Sequence, residues 1–226
     1  MLLAIDTATQ WTGLALHDGR GIIAESGWQA AKTQTVELAP EVGQILRRSG
    51  HEPADLAAIA VSIGPGSYTG LRIGLAFAKG FALANQTKLI GVPTLDIIAA
   101  GQAEKDGQLV AIAQAGRKRV CAAFYTWQGS KGWQSDKLPE ITDWDVLLAF
   151  VEGPAVFAGE ISPEAAKKIR AAGKGFRISS PAGSLRRAGY LAEIGWNRLR
   201  RGWTDDPATL APVYLLNPAG TQRENV

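Results

Sequence analysis

The sequence predicts an α/β protein of two lobes in tandem, each with the element order βββαβαβ. Three observations favour this fold class. Strand-like apolar runs open the chain, alternating helical and strand-like patterns follow them, and the second half repeats the same order. Residue identities do not repeat between the halves, so the predicted duplication is one of topology. A chain of 226 residues is long enough for one large domain or two small lobes.

Three strand-like runs begin the first lobe, at 2–7, 12–16 and 22–26. Asp18-Gly19 lies between the second and third runs and is a hairpin signal. A helix, a strand, a second helix, a strand and a third helix are expected next, at 35–49, 56–63, 69–85, 88–92 and from residue 94. The first of these helices is predicted because Leu38, Val42 and Leu46 recur at helical spacing.

The second lobe is predicted to begin with a hairpin whose turn carries Gly116. We expect strands at 109–114, 119–127 and 155–158 and helices at 143–151 and 163–172. A third strand before the first of these helices has only a weak signal. The lobe boundary is placed in the polar, glycine-containing stretch 101–107, so the lobes are 1–103 and 104–226. A return of the last residues to the first lobe is left open.

Composition indicates an ordinary soluble, cytoplasmic protein. Hydrophobic residues make up 46% of the chain and charged residues 20%. The single cysteine, Cys121, excludes an internal disulfide and lies in an apolar run, where we expect it to pack rather than react. Asp6 interrupts the apolar opening, so no signal peptide is expected. Arg72 and Lys79 within the second helix argue against a membrane span.

Basic residues are concentrated in one segment. Residues 165–204 contain ten Lys or Arg and one acid, Glu193. Such a segment attracts nucleic acid through phosphate neutralisation. The alternative is a solvated helix pair that carries its Lys and Arg on the outer face. No RNA-binding motif accompanies the charge, and both readings stay open.

The helix over 69–85 has almost no polar face, so it must be covered on every side. Small residues recur every four positions along it, at Gly70, Gly74, Ala78 and Ala82. One hypothesis places this small-residue stripe against a partner, together with residues off the core face of the first helix, Val36, Ala39 and Gly43. The alternative places the stripe on the chain's own sheet and turns Ile73, Phe77 and Phe81 to the partner.

The loop Gly64-Pro65-Gly66-Ser67 stands between a strand and the start of this helix. Exposed N–H groups there could hold an anion. It is not a Walker A loop, since no Gly-Lys-Ser/Thr follows. The structural alternative is that Gly66 supplies special dihedral angles and Ser67 or Tyr68 begins the helix.

Three segments together are specific enough to identify a family. They are Leu3-Ala4-Ile5-Asp6-Thr7-Ala8-Thr9, the run from Ser62 to Ala84, and Gly91-Val92-Pro93-Thr94-Leu95. This combination closely resembles the bacterial TsaB (YeaZ) family, densely over roughly the first hundred residues and thinly afterwards. The resemblance implies a two-lobed actin-like ATPase (ASKHA, ribonuclease H-like) fold.

The same resemblance implies the non-catalytic dimerisation subunit of the machinery that makes threonylcarbamoyladenosine in tRNA. The implied partners are TsaD in a heterodimer and TsaE in a ternary complex, with tRNA reached only through the complex and a homodimer open for the isolated chain. No cofactor is implied. The alternative function is a residual nucleotide-binding actin-like kinase or a peptidase-type enzyme.

By resemblance to actin-like kinases, Asp6, Thr7 and Thr9 form a vestigial first phosphate loop, with Gly64, Gly66 and Ser67 beside it. In those kinases a glycine follows the metal-orienting aspartate, whereas here Thr7 and Ala8 do. No second phosphate loop is visible in the second half, so we expect a degenerate nucleotide site, with weak nucleotide binding as the alternative.

Catalytic relatives use histidines to hold a metal. This chain has only His17 and His51, both outside paired motifs, and we expect both to be exposed loop residues. We therefore assign no catalytic residue and no metal site. Family members often have a His-Ser pair at the start of the first long helix, where this chain has Gln34-Thr35.

Overall fold

The computed structural model describes residues 1–30, 33–103, 107–116, 119–135 and 137–215. In the described chain the helices are α1 Gln34–Arg48, α2 Tyr68–Asn85, α3 Thr94–Ala100, α4 Trp144–Phe150, α5 Pro163–Ala172 and α6 Ala188–Arg200. The strands are β1 Leu2–Asp6, β2 Trp11–His17, β3 Ile22–Gln29, β4 Ala58–Gly64, β5 Lys88–Pro93, β6 Gln108–Gln114, β7 Arg119–Trp127, β8 Trp133–Gln134, β9 Glu140–Asp143, β10 Ala155–Gly159 and β11 Arg177–Ile178. None of the helices within these ranges has the length and hydropathy that crossing a bilayer requires.

The first of two compact units contains Met1–Ile97 and Arg186–Val213 and is built on a five-stranded sheet of order β3-β2-β1-β4-β5. β1, β2 and β3 are antiparallel, and β1, β4 and β5 run parallel. The Asp18 carboxylate closes the β2–β3 turn by accepting from the N–H groups of Arg20 and Gly21. The predicted hairpin is therefore confirmed.

The second unit contains Ile98–Leu185 with Tyr214 and Leu215. Its sheet has the order β11-β10-β6-β7-β8, and β9 also pairs with β7. β6 lies between an antiparallel β7 and a parallel β10, as β1 lies between β2 and β4. The predicted topological duplication is confirmed, with the weak third strand divided into β8 and β9.

Cys121 lies on β7 and is buried. Burial raises the pKa of its thiol to about 12, so the reactive thiolate is disfavoured at neutral pH. The expectation that this cysteine packs rather than reacts is confirmed.

The first sheet is covered on both faces, because successive strand residues point to opposite sides. α1 and α2 cover one face, where Leu38, Val42 and Leu75 pack with Ile5 and Ile59. α6 covers the other face. Its Leu191 and Ala192 pack against the residues of β1 and β4 that point to that side, Leu2, Ala4, Ala58 and Ala60.

The position of α6 differs from the sequence-based division at residues 103 and 104. The first unit ends at Ile97, and residues 186–213 join it again. The physical reason is that parallel strands buried on both faces need a second covering layer. The basic residues of 165–204 are accordingly not carried by one helix pair, since α5 belongs to the second unit and α6 to the first.

The small-residue stripe of α2 lies against the chain itself. A Cβ at Gly70 would collide with the Thr7 carbonyl oxygen, and one at Gly74 with Thr7 Oγ1. Thr7 Oγ1 donates a hydrogen bond of 2.7 Å to the Gly70 carbonyl, and Ala78 and Ala82 are buried below it. The hypothesis that this stripe contacts a partner is wrong, because Gly70 and Gly74 pack on Thr7 and because Ala78 and Ala82 are buried within the chain.

We expect Gly74→Ala to lower the free energy of unfolding by about 2 kcal/mol, because the added methyl overpacks the contact with Thr7. Gly80→Ala is the matched control on the same helix, since no described atom lies within 4 Å of its Cβ position. It should raise the free energy of unfolding by about 0.5–1 kcal/mol through helix propensity. Urea denaturation measures both variants, and equal effects would contradict this packing.

His17 is not the exposed loop residue that we expected. It ends β2 with only 6% of its surface exposed and stacks on Trp196 of α6, the ring centroids 5.0 Å apart. Its Nδ1 accepts a hydrogen bond of 2.9 Å from the Gly19 N–H. Burial lowers the pKa of His17 below its ordinary value. His51 lies half-buried, with Nδ1 at 3.4 Å from an Asp55 carboxylate oxygen.

Because the folded-state pKa of His17 lies below 6.5, its contribution to stability is fully present above that pH. Below it, the unfolded chain binds a proton that the folded chain does not, and stability is lost. Between about pH 7.5 and about pH 5.5, the free energy of unfolding measured by urea denaturation should fall less for His17→Asn than for the unmodified protein. Asn retains an acceptor for the Gly19 N–H without titrating. If the free energy of unfolding of His17→Asn changed with pH as steeply as that of the unmodified protein, a lowered pKa of His17 would be contradicted.

Candidate functional site

The loops that follow β1 and β4 meet at one edge of the first sheet. The Ser67 N–H donates a 2.6 Å hydrogen bond to the Ala8 carbonyl oxygen. Gly66 lies so close to this oxygen that any Cβ would collide with it. The structure therefore brings together all six residues predicted for the vestigial phosphate loops, which are Asp6, Thr7, Thr9, Gly64, Gly66 and Ser67.

The glycines of the second loop have different roles from those predicted. Gly64 has the positive φ, 116°, whereas Gly66 is required by its close approach to Ala8. Ser67 is the N-cap of α2, and its Oγ accepts from the Gly70 N–H at 3.2 Å. Amide groups that could face an anion are thus partly used to join the loops and to cap the helix.

Gln34 is a site residue that sequence reasoning treated only as a departure from the family pattern. It is buried at the start of α1, and its Nε2 donates to the Thr9 carbonyl oxygen at 2.8 Å and to Thr12 Oγ1 at 3.0 Å. The amide therefore attaches α1 to the loop after β1. Its position four residues before Leu38 on the core face was the available signal.

The Asp6 carboxylate is completely buried at the end of β1. One oxygen accepts from the Ala8 N–H at 2.9 Å, and the other accepts from Arg186 Nε at 2.9 Å. The Arg186 guanidinium, 3% exposed, also donates to Thr9 Oγ1. No sequence signal pointed to Arg186, since it is 180 positions away from Asp6.

A second region is the outward face of α1 and α2, which contact each other on the same side of the first sheet. Val36 and Leu83 are 69% and 82% exposed. Gly80 faces open space, because no described atom stands within 4 Å of its Cβ position. We call this region the α1–α2 surface and define it by Val36, Ala39, Pro40, Gly43, Ile73, Ala76, Phe77, Gly80 and Leu83.

The α1–α2 surface contains some of the predicted interface residues and omits others. Val36 and Ala39 are exposed, and Gly43, Ile73 and Phe77 are half-buried. The members that the sequence analysis missed are Pro40, Ala76, Gly80 and Leu83. A signal was present on α2, since Ala76, Gly80 and Ala84 repeat the four-residue spacing of the buried stripe. Two glycine and alanine stripes run along α2, and only the buried one was recognised.

Polar groups border this apolar region. The Arg72 guanidinium lies 3.8 Å above the Tyr68 ring centroid at the start of α2, and Arg47 is exposed near the end of α1. Exposed apolar side chains rimmed by polar ones are typical of protein-binding surfaces. Small residues at Ala76 and Gly80 leave room for an approaching helix.

Solved structures agree with the described fold. YeaZ from Pseudomonas aeruginosa superposes with a TM-score of 0.77 at 23% identity, over 95% of this chain and 99% of that chain. Component A of (R)-2-hydroxyglutaryl-CoA dehydratase from Acidaminococcus fermentans superposes with a TM-score of 0.52 at 13% identity, over 88% and 98% of the chains. The fold is of the actin-like ATPase class, as predicted.

The resemblance of the loops to those of actin-like kinases would imply a bound nucleotide with a divalent metal ion. The residues present here do not fit such a nucleotide–metal group. Both Asp6 oxygens are engaged by donors within the chain, and one of the donors is a cation. The Ser67 N–H at the head of α2 is engaged by Ala8. Within the described residues, no group of three or more His, Cys, Asp or Glu side chains is arranged to hold a metal ion.

The family comparisons extend over most of the chain. A family model described as "TsaD: tRNA N6-adenosine threonylcarbamoyltransferase" matches residues 18–170. The tRNA threonylcarbamoyladenosine biosynthesis protein TsaB of Bacillus subtilis is 33% identical over 162 residues, which are 70% of this chain and 70% of that protein. With the structural match to YeaZ, these similarities show that the chain belongs to the TsaB (YeaZ) family, within the wider TsaD-related group.

Proposed function

We propose that this chain acts in tRNA threonylcarbamoyladenosine biosynthesis as a non-catalytic scaffold that binds a TsaD-type transferase through the α1–α2 surface. The observation that carries the proposal is the exposed apolar face of two adjacent helices. Val36 and Leu83 on these helices are 69% and 82% exposed, and Gly80 leaves open space beside them because it has no side chain. TsaE is the further partner in a ternary complex, and tRNA is reached through that complex in the cytoplasm.

Relatedness between the two partners supports pairing through equivalent helices. The TsaD family model matches residues 18–170, a range that includes α1 and α2. Two chains of the same fold that contact through the same helix pair form a quasi-twofold, four-helix interface. The same geometry makes a homodimer the competing state of the isolated chain.

The phosphate loops support the non-catalytic part of the proposal. Asp6 is the carboxylate that metal-dependent phosphoryl chemistry would use, and it is neutralised by Arg186 inside the protein. The Thr7 hydroxyl is likewise occupied by the Gly70 carbonyl. Activation of the transferase is therefore assigned to the outward helices and not to chemistry at these loops.

We expect Gly80→Leu to weaken binding to the cognate TsaD-type subunit by about ten- to hundred-fold, because a leucine holds the facing helix away. The fold should persist, since the side chain enters open space and leucine is a good helix former. Isothermal titration of the two purified subunits measures the affinity, and a thermal melt confirms folding.

Asn197→Leu is the matched control for that experiment. Asn197 is exposed on α6, which covers the opposite face of the first sheet, so the same bulk is added away from the α1–α2 surface. Its affinity for the transferase should be unchanged. Loss of binding in this control, or full binding by a folded Gly80→Leu variant, would show that another surface is used.

A reconstituted reaction separates the scaffold from the enzyme alternative. The purified chain alone should hydrolyse neither ATP nor peptides, and it should stimulate tRNA modification when TsaD and TsaE proteins are added. Gly80→Leu should lose that stimulation in proportion to its loss of binding. Turnover of ATP by the chain alone that persists through purification and disappears in Asp6→Ala would favour a kinase-type enzyme.

A further inference from the structure

In the Asp6–Arg186 pair of the first unit, two opposite charges are removed together from water. Asp6 is 0% and Arg186 3% exposed. A buried carboxylate is costly unless a cation and hydrogen bonds compensate it. Here the compensation comes from Arg186 Nε on one oxygen and the Ala8 N–H on the other.

The guanidinium also bridges the loop that follows β1. Besides Asp6, it donates to Thr9 Oγ1, which in turn accepts from the Trp11 N–H at 3.3 Å. One side chain therefore holds both ends of the turn between β1 and β2. Its planar group of fixed donors suits such a two-point contact better than a lysine ammonium does.

A hydrated magnesium ion at this place would need the same carboxylate oxygen. Magnesium is bound through one or two carboxylates and keeps much of its water shell, so it requires a free oxygen and space beside it. Arg186 Nε stands 2.9 Å from Asp6 Oδ2, and its side chain fills the space with a positive charge. The position beside Asp6 thus already holds a cation that belongs to the chain.

We propose that Arg186 is a built-in cation that takes the place of a divalent metal ion at Asp6. Arg186 begins the segment that returns to the first unit, two residues before α6. The same ion pair therefore anchors the start of α6 to the end of β1. This role does not depend on the proposed partner, because it concerns contacts within the first unit alone.

The test removes the internal cation and asks whether an external one replaces it. In the full-length Arg186→Ala variant, millimolar magnesium should raise the melting temperature by about 5 °C, because the ion binds the folded chain at the vacated site. The unmodified protein should show no such rise. The double variant Asp6→Asn with Arg186→Ala should not respond either, since the carboxylate ligand is gone.

Arg187→Ala is the matched control, because it removes the same charge at the next position. Arg187 is exposed and pairs with Glu25, so its loss should create no magnesium response. A magnesium response in this control or in the unmodified protein would overturn the proposal, and so would a folded Arg186→Ala variant that magnesium does not stabilise. If Arg186→Ala is unfolded in buffer, magnesium should restore its circular dichroism spectrum, and failure to do so would equally overturn the proposal.

Discussion

The close contact between α2 and the end of β1 determines the arrangement of the first unit. It exists because Gly70 and Gly74 have no side chains where Thr7 stands, and the Thr7 hydroxyl then bonds to the helix backbone. Once this face of α2 is buried, the rotation of the helix is set. Ala76, Gly80 and Leu83 must point outward on the opposite side.

The same contact closes the loops that could have held a phosphate group. Because α2 packs on Thr7, the Ser67 N–H can donate to the Ala8 carbonyl. Gln34, at the start of α1, donates to the Thr9 carbonyl in the same turn. Several of the donors and acceptors that an active phosphate site would offer to a ligand are thus bonded within the protein. The polar groups of Asp6 and Thr7 are buried and need such partners, whereas Ser67 stays exposed at the start of α2.

The return of residues 186–213 completes the first unit in three ways. α6 covers the second face of the sheet, and Arg186 neutralises Asp6. The segment after α6 then runs beside the outer strand β5, where the Asp205 N–H donates to the Leu89 carbonyl and the Asp205 carboxylate accepts from the Gly91 N–H. Further along, the Val213 N–H donates to the carbonyl of Ile63 near the end of β4. Two backbone groups of the edge strand β5 are thereby bonded within the chain and are not open to pairing with another strand.

The sequence by itself determined most of the strands and helices and the repeated topology of the two halves, because strand and helix periodicities, Asp18-Gly19 and the glycine-rich loop are local signals. It also determined that α2 is apolar on all sides and that Val36 and Ala39 lie off the core face of α1. It did not determine that α6 returns to cover the first sheet. Nor did it decide which side of α2 faces outward, since two small-residue stripes of equal spacing run along that helix. Only the position of Thr7, packed against Gly70 and Gly74, decided that question. Burial of His17 under Trp196 and the pairing of Arg186 with Asp6 also required the tertiary structure, because residues about 180 positions apart have no local pattern that relates them.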